Sequence, residues 1–361
     1  MNLSSNPIKK ETLNLFKGRE KLLKKIESHL SLFDIVLLEG KFGVGKTSLG
    51  NYYRFNKSKI LTPEIEISTN VNWSLEEFLH VVLKNLLMSI EKSEIYSSLA
   101  VTELYKKLDK RYRTVVDKEI QGGAIGINLG VGNSTSRTSI ITQSELISDL
   151  NELSILCKRK SEIEKPLIIQ LNNLDIIEDK SEGVLSFFNS IRNVFQTEGV
   201  SWILTGTEGL GDLLRKKLSK MGDLISIIRV NKLEEDALIE TFKIRSENKI
   251  SEYILRELYV LCRGQYRTIN NYVRNYILDE TYEDLFNDLK VNKEMVEAIV
   301  SGINTQKELS NELGISTGKV STDLKLLINT KIINEEKNGK IKVYKQSPEF
   351  FIYSIRMGEN N

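Results

Sequence analysis

One stretch constrains this chain more than any other: Gly40-Lys41-Phe42-Gly43-Val44-Gly45-Lys46-Thr47. It fits the spacing Gly-x-x-x-x-Gly-Lys-[Ser/Thr] without a mismatch. Before it, Phe33 to Glu39 is a short, mostly apolar run ending at a glycine, the pattern of a strand buried in a parallel sheet. After it, Thr47 to Phe55 contains no proline and can open a helix. Strand, glycine loop and helix in that order suit phosphate. The glycines let backbone N–H groups converge on phosphate oxygens, and the helix N-terminus adds partial positive charge. Lys46 is then placed to reach the β- and γ-phosphates and the Thr47 hydroxyl to hold Mg²⁺. The expected ligand is a nucleoside triphosphate held by Gly40, Lys41, Phe42, Gly43, Val44, Gly45, Lys46, Thr47 and Ser48.

The remaining pattern says what surrounds that loop. At 361 residues the chain has room for about two or three domains. Short apolar runs at 64–68, 166–171, 200–205 and 224–230 read as strands, separated by helical periodicity at 75–110, 143–159, 183–195 and 209–221. Strands alternating with helices predict an α/β doubly wound parallel sheet over residues 1–231. Residues 1–14 read as a loose arm. Residues 120–139, rich in glycine and with Ile125, Ile127, Leu129 and Val131 alternating, read as an inserted hairpin or flap, or alternatively as a second phosphate loop. Residues 232–290 turn wholly helical, as a lid. The net charge of +2 provides no bulk field, so nucleic-acid contact requires local clustering. Cys157 and Cys262 have no metal spacing, His29 and His80 have no partners in sequence, and no apolar run reaches about 18 residues. A cytoplasmic protein is the expectation.

A phosphate loop needs acids at the end of a neighbouring strand, one to hold the metal's water shell and one to polarise an attacking water. Ile168 to Leu171 has the character of that strand, yet it ends in Asn172-Asn173-Leu174-Asp175. An amide accepts from a metal-bound water but takes no proton, so Asn173 is lost as a general base. Asn172 and Asp175 remain for the metal beside Thr47, Asp175 serving equally well as a helix or loop cap. The expectation is ATP binding with Mg²⁺ and slow or absent hydrolysis. Another strand ends in Thr205-Gly206-Thr207, hydroxyls that either sense the γ-phosphate or satisfy the strand end.

Residues 291–361 carry their own pattern. Helical runs at 295–300, 305–314 and 317–329, a turn at Gly314-Ile315-Ser316 and two short strands at 332–334 and 340–344 predict a winged helix-turn-helix. The third helix would present Ser316, Thr317, Lys319, Val320 and Thr322 to base edges. From Lys319 to Lys345 seven lysines, among them Lys325, Lys337, Lys340 and Lys342, stand against Asp323, Glu335 and Glu336. No arginine lies in this helix or wing, so bidentate guanine reading is absent. Duplex DNA bound with low sequence specificity is the expected partner; a winged helix making protein contacts is the alternative.

Taken together, Phe16-Lys17-Gly18-Arg19-Glu20, the phosphate loop, the double asparagine, the Thr207 strand end and Gly264-Gln265-Tyr266-Arg267 resemble AAA+ ATPases of the Orc1/Cdc6-like and related STAND type. The resemblance implies that Phe16 and Arg19 lie beside adenine and that Arg267 is a lid arginine touching the γ-phosphate. Tyr266 stands where the family has proline. An arginine finger would fall near Arg215, which reads equally as part of a solvated helix face. The resemblance also implies a homo-oligomer or a partner protein. The function it implies is ATP-controlled DNA binding, or else a signalling or defence scaffold.

Overall fold

The computed structural model describes residues 3–4, 6–68, 74–112, 142–174, 188, 191–217, 224–278 and 292–359. The 120–139 stretch, Asp175 and much of the helix expected over 183–195 lie outside the described residues. The chain divides into two compact units, one of Pro7–Asn231 and one of Met1–Asn6 with Lys232–Asn361.

The first unit is a five-stranded parallel sheet. In chain order its elements are α1 (Glu20–Leu32), β1 (Ile35–Glu39), α2 (Lys46–Phe55), β2 (Ile67–Ser68), α3 (Leu75–Lys92), α4 (Glu103–Tyr112), α5 (Gln143–Ser161), β3 (Leu167–Asn172), β4 (Val200–Gly206), α6 (Leu210–Lys217) and β5 (Ile225–Arg229). The strand order is β2-β3-β4-β1-β5. Every residue of β1, β3 and β4 is buried, because helices cover both faces and the period-two alternation sends successive side chains into two different cores. Ile35, Leu37, Leu167, Ile169, Trp202 and Leu204 pack with α3, α4 and α5. Val36, Leu38, Ile168, Ile203 and Ile228 pack with α1 and α2 through Ile26, Leu30, Leu49 and Tyr53. Trp202 meets Phe195 edge-on at a centroid distance of 4.9 Å.

Two features differ from the sequence pattern. Strand β2 covers only the end of 64–68, because Glu64 is drawn to Lys10 and Lys92 and Glu66 accepts from Asn51. Within the segment expected as a loose arm, residues 6–14 are ordered: Ile8 is buried, and a 3₁₀ turn runs over Lys10–Leu15. The backbone of Ile8 is held on α2, its N–H donating to the Ser48 hydroxyl at 3.2 Å and its carbonyl accepting from Asn51 Nδ2 at 2.8 Å.

The second unit has two cores. The first joins α7 (Glu235–Arg245), α8 (Glu252–Leu261) and α9 (Tyr266–Leu278) around Leu238, Phe242, Leu255, Leu258 and Ile269, with Leu3 among them. Asn270 donates to the Leu3 carbonyl at 2.9 Å and Arg245 to the Ser4 carbonyl at 3.2 Å. The other core assembles α10 (Lys293–Val300), α11 (Gln306–Leu313), α12 (Thr317–Asn329), the antiparallel pair β6 (Ile333–Asn338) and β7 (Ile341–Gln346), and the start of α13 (Pro348–Glu359). Gly314 ends α11 with φ of 64°, the left-handed value glycine adopts without steric cost, and turns the chain into α12. Among the described residues no helix is long and apolar enough to cross a membrane.

Both cysteines are buried and free, and burial pushes each thiol up to about 12. At pH 8 the reactive thiolate is then about one part in ten thousand. Folded protein at pH 8 is therefore expected to resist a water-soluble thiol reagent over an hour, whereas protein in guanidinium chloride gains two labels by mass spectrometry.

Candidate functional site

The loop Gly40 to Gly45 joins the buried end of β1 to α2. Gly43 and Gly45 have φ of 80° and 91°, so the two turns that fold the loop over the helix start are built on residues without a Cβ. Gly40 is fixed by crowding, since a Cβ there would strike the Val230 carbonyl oxygen. The start of α2 has no side-chain cap, whereas α3, α5, α11 and α12 are capped by Ser74, Thr142, Thr305 and Ser316. The first-turn N–H groups of α2 therefore face the loop, as a phosphate requires. Lys46 is 8% exposed, and its ammonium donates to the carbonyls of Gly40 at 2.6 Å and Lys41 at 3.0 Å. The charge is thus folded inside the loop and within one side-chain swing of any phosphate that enters it. Phe42 and Lys41 stand exposed on the rim.

Beside the loop, β3 and β4 bring together residues that the sequence keeps apart. Gln170 Nε2 donates to the Thr47 carbonyl at 3.3 Å and to Asn172 Oδ1 at 2.9 Å. Thr205 Oγ1 also donates to Asn172 Oδ1, at 3.2 Å, and accepts the backbone N–H of Asn173 at 3.3 Å. Gly50 makes room for this arrangement, for a Cβ there would lie 2.5 Å from Gln170 Oε1. Asn173, with φ of 60°, turns outward and donates from Nδ2 to Ser68 Oγ at 3.2 Å. Gln170 and Thr205 are the site residues that motif spacing did not single out together; the sequence signal for Gln170 is a lone polar residue within an apolar run, and Thr205 is the polar residue that closes one. Thr207 Oγ1 is buried with no hydrogen-bond partner among the described residues, and the Thr207 carbonyl accepts the Leu210 N–H at the start of α6.

The donor set for a metal follows from this inventory. The Thr47 hydroxyl is partly exposed at the loop, whereas the Asn172 oxygen is taken by two protein donors. Asp175 lies outside the described residues. Among the described residues no group of three or more His, Cys, Asp or Glu stands close enough to hold a metal ion.

The flanking residues tie the loop in place. Arg19 is 9% exposed, and its Nη2 donates to the carbonyls of Val44 at 3.1 Å and Asn231 at 2.6 Å, clamping the loop to the segment after β5. Phe16 stacks on Tyr52 of α2 with centroids 4.5 Å apart. Ser48 is engaged with Ile8. Glu39, 1% exposed at the end of β1, accepts the Gly211 N–H at 2.9 Å, so a buried carboxylate sits at the positive end of α6. Arg215 is exposed on that helix. Arg267 belongs to the second unit, exposed in the first turn of α9 after Gly264 (φ 67°). Tyr266 stacks on Phe242 at 4.9 Å and lies over Arg245, so the aromatic ring in the proline position is a packing residue.

In the second unit, Ser316, Thr317, Lys319, Thr322 and Lys325 are exposed along α12, while Val320 is buried in the core. The Ser316 hydroxyl caps the helix by accepting the Lys319 N–H. Lys337, Lys340 and Lys342 are exposed around the β6–β7 turn at Gly339. Three of the seven lysines are paired locally: Lys319 with Asp323 at 3.0 Å, Lys342 with Glu335 at 2.9 Å and Lys345 with Glu336 at 3.3 Å. Among the described residues no ion pair reaches Lys325, Lys331, Lys337 or Lys340. Each of the three paired lysines is solvent-exposed and can exchange its carboxylate for phosphate.

Replacing Arg19 with alanine removes two charge-assisted bonds and leaves two carbonyls in a buried corner. A loss of about 2–3 kcal/mol is expected in denaturant unfolding of the unit that carries the loop. A loss below about 0.5 kcal/mol would mean the clamp carries no load.

No protein-family model matches the sequence, and none of the curated proteins compared with it does. Several solved structures align with most of the chain at low identity. The Walker-type ATPase PABY2304 of Pyrococcus abyssi is 17% identical, with 98% of this chain and 100% of that chain covered and a TM-score of 0.48. The Aeropyrum pernix Orc1 protein, solved in complex with DNA, is 11% identical, covering 96% and 93% at a TM-score of 0.41. Cdc6p from Pyrobaculum aerophilum is 12% identical, covering 95% and 94% at a TM-score of 0.39. Each of these alignments extends over nearly the whole of this chain.

Proposed function

We propose that this chain is a nucleotide-controlled DNA-binding protein in which ATP acts as a switch ligand with little or no turnover. The observation that carries the reading is the pairing of an intact phosphate loop with amides where acids would stand. Lys46 is buried against Gly40 and Lys41, ready to exchange two carbonyls for phosphate oxygens. At the end of β3, Asn172 and Asn173 are held by Gln170, Thr205 and Ser68, and neither amide can take a proton from water. In this reading residues 1–231 hold the nucleotide, 232–290 form a lid carrying Arg267, and 291–361 form a winged helix. A switch of this kind needs only a difference in binding energy between two lid positions.

The exposed stripe on α12 and the lysine-bearing turn of β6 and β7 support duplex DNA as the partner. Contacts from lysine rather than arginine favour phosphate over base edges, hence low sequence specificity. A second reading, a signalling or defence scaffold whose winged helix meets protein, is favoured by one observation. Leu326 and Ile341 are 44% and 60% exposed on the same helix and turn as the lysines, and three of those lysines are already paired.

Titration with radiolabelled ATP is expected to give a saturable complex, and Lys46→Ala to weaken it at least about tenfold, or about 1.4 kcal/mol. Steady phosphate release by the wild type that vanishes in Lys46→Ala would overturn the switch. For DNA, affinity is expected to fall steeply with salt, and Lys337→Ala with Lys340→Ala to lower the slope of log affinity against log salt by about 2. No duplex binding at low salt, with or without ATP, would favour the protein-contact reading.

A further inference from the structure

The polarity of the hydrogen-bond chain beneath the phosphate loop is fixed at both ends by backbone groups. At one end the Asn173 N–H can only donate, and it donates to Thr205 Oγ1. The Thr205 hydroxyl hydrogen is then directed to Asn172 Oδ1 at 3.2 Å. At the other end the Thr47 carbonyl can only accept, which places Nε2 of Gln170 toward it at 3.3 Å. The same Nε2 donates to Asn172 Oδ1 at 2.9 Å. Neither amide can be flipped without setting donor against donor or acceptor against acceptor. The Asn172 oxygen is therefore spent on two donors, and the rest of that amide is an NH₂ group.

A carboxylate at this position would keep a second oxygen for a metal's water shell, whereas the amide has one oxygen and two protein donors already occupy it. The residues described do not fit a strongly held Mg²⁺: the Thr47 hydroxyl remains, but the Asn172 oxygen that would join it is already engaged. We propose that this site takes its triphosphate largely independently of divalent cation, with Gln170 as the positioning residue that keeps the Asn172 oxygen engaged within the protein. The phosphate charge is then met by Lys46 and the uncapped start of α2. The inference rests on the nucleotide-binding reading of the loop and deepens it.

The test compares ATP affinity, by calorimetry on the full chain, in excess Mg²⁺ and in EDTA. The wild type is expected to agree between the two within roughly threefold. Asn172→Asp is expected to bind at least about tenfold more tightly with Mg²⁺ than with EDTA. Gln170→Leu, which frees the Asn172 amide to turn its oxygen outward, is expected to move the ratio in the same direction while thermal unfolding reports an intact fold. A wild type that loses tenfold or more in EDTA would overturn the proposal without any variant. If that loss disappears in Asp175→Asn, the carboxylate at 175 is the metal ligand. No change of ratio in Asn172→Asp would also overturn it. Absence of binding in both buffers would overturn the nucleotide reading itself, and this one with it.

Discussion

The arrangement around the loop depends on β1 lying between β4 and β5 in parallel register. Glu39 sits opposite Gly206 on one side and Arg229 on the other, so three strands end at the same level. Gly40 N–H then donates to the Gly206 carbonyl and Val230 N–H to the Glu39 carbonyl, which carries the ladder one step past the strand and leaves the chain no choice but to turn. That shared edge is where strand order reverses direction about β1, the place where open α/β sheets leave a crevice for ligands. The glycine at position 40 follows from it: the Val230 carbonyl stands where a side chain would begin.

What was legible from the sequence was local. The loop, its flanking strand and helix, and the helix caps of the C-terminal bundle are short-range patterns, and Gly314 with Ser316 announces its turn and cap outright. The pairing of β4 with both β1 and β3 was not legible, because it is a matter of crossover and not of spacing. Thr205 lies 33 residues from Asn172, and only the sheet order makes them neighbours. Arg19 could be marked as beside the loop, but its bonds to Val44 and Asn231 span 212 residues in the second case. The first residues read as loose since they lack periodicity; Ile8 is ordered by two side chains of α2, a recognition of backbone that leaves no trace in residue 8 itself.

Replacing acids by amides also alters the energetics of the empty site. A carboxylate buried at position 172 would be costly without a cation. A neutral amide is cheaper to bury: the Asn172 oxygen is met by Gln170 and Thr205, which also bond the Thr47 carbonyl and the Asn173 N–H, while Gln170 Oε1 is buried without a partner among the described residues. The change that removes a base from the reaction therefore also lowers the cost of burying the end of β3.

The second unit is discontinuous in sequence. Its helical core includes Leu3, whose carbonyl accepts from Nδ2 of the buried Asn270, and Arg245 reaches the Ser4 carbonyl, before the chain leaves at residue 7 and returns at 232. In sequence terms the phosphate-loop unit is an insertion into the helical one. A fragment beginning at residue 232 would thus lack part of its own interior: the helical unit is completed by the residues that precede the phosphate-loop unit.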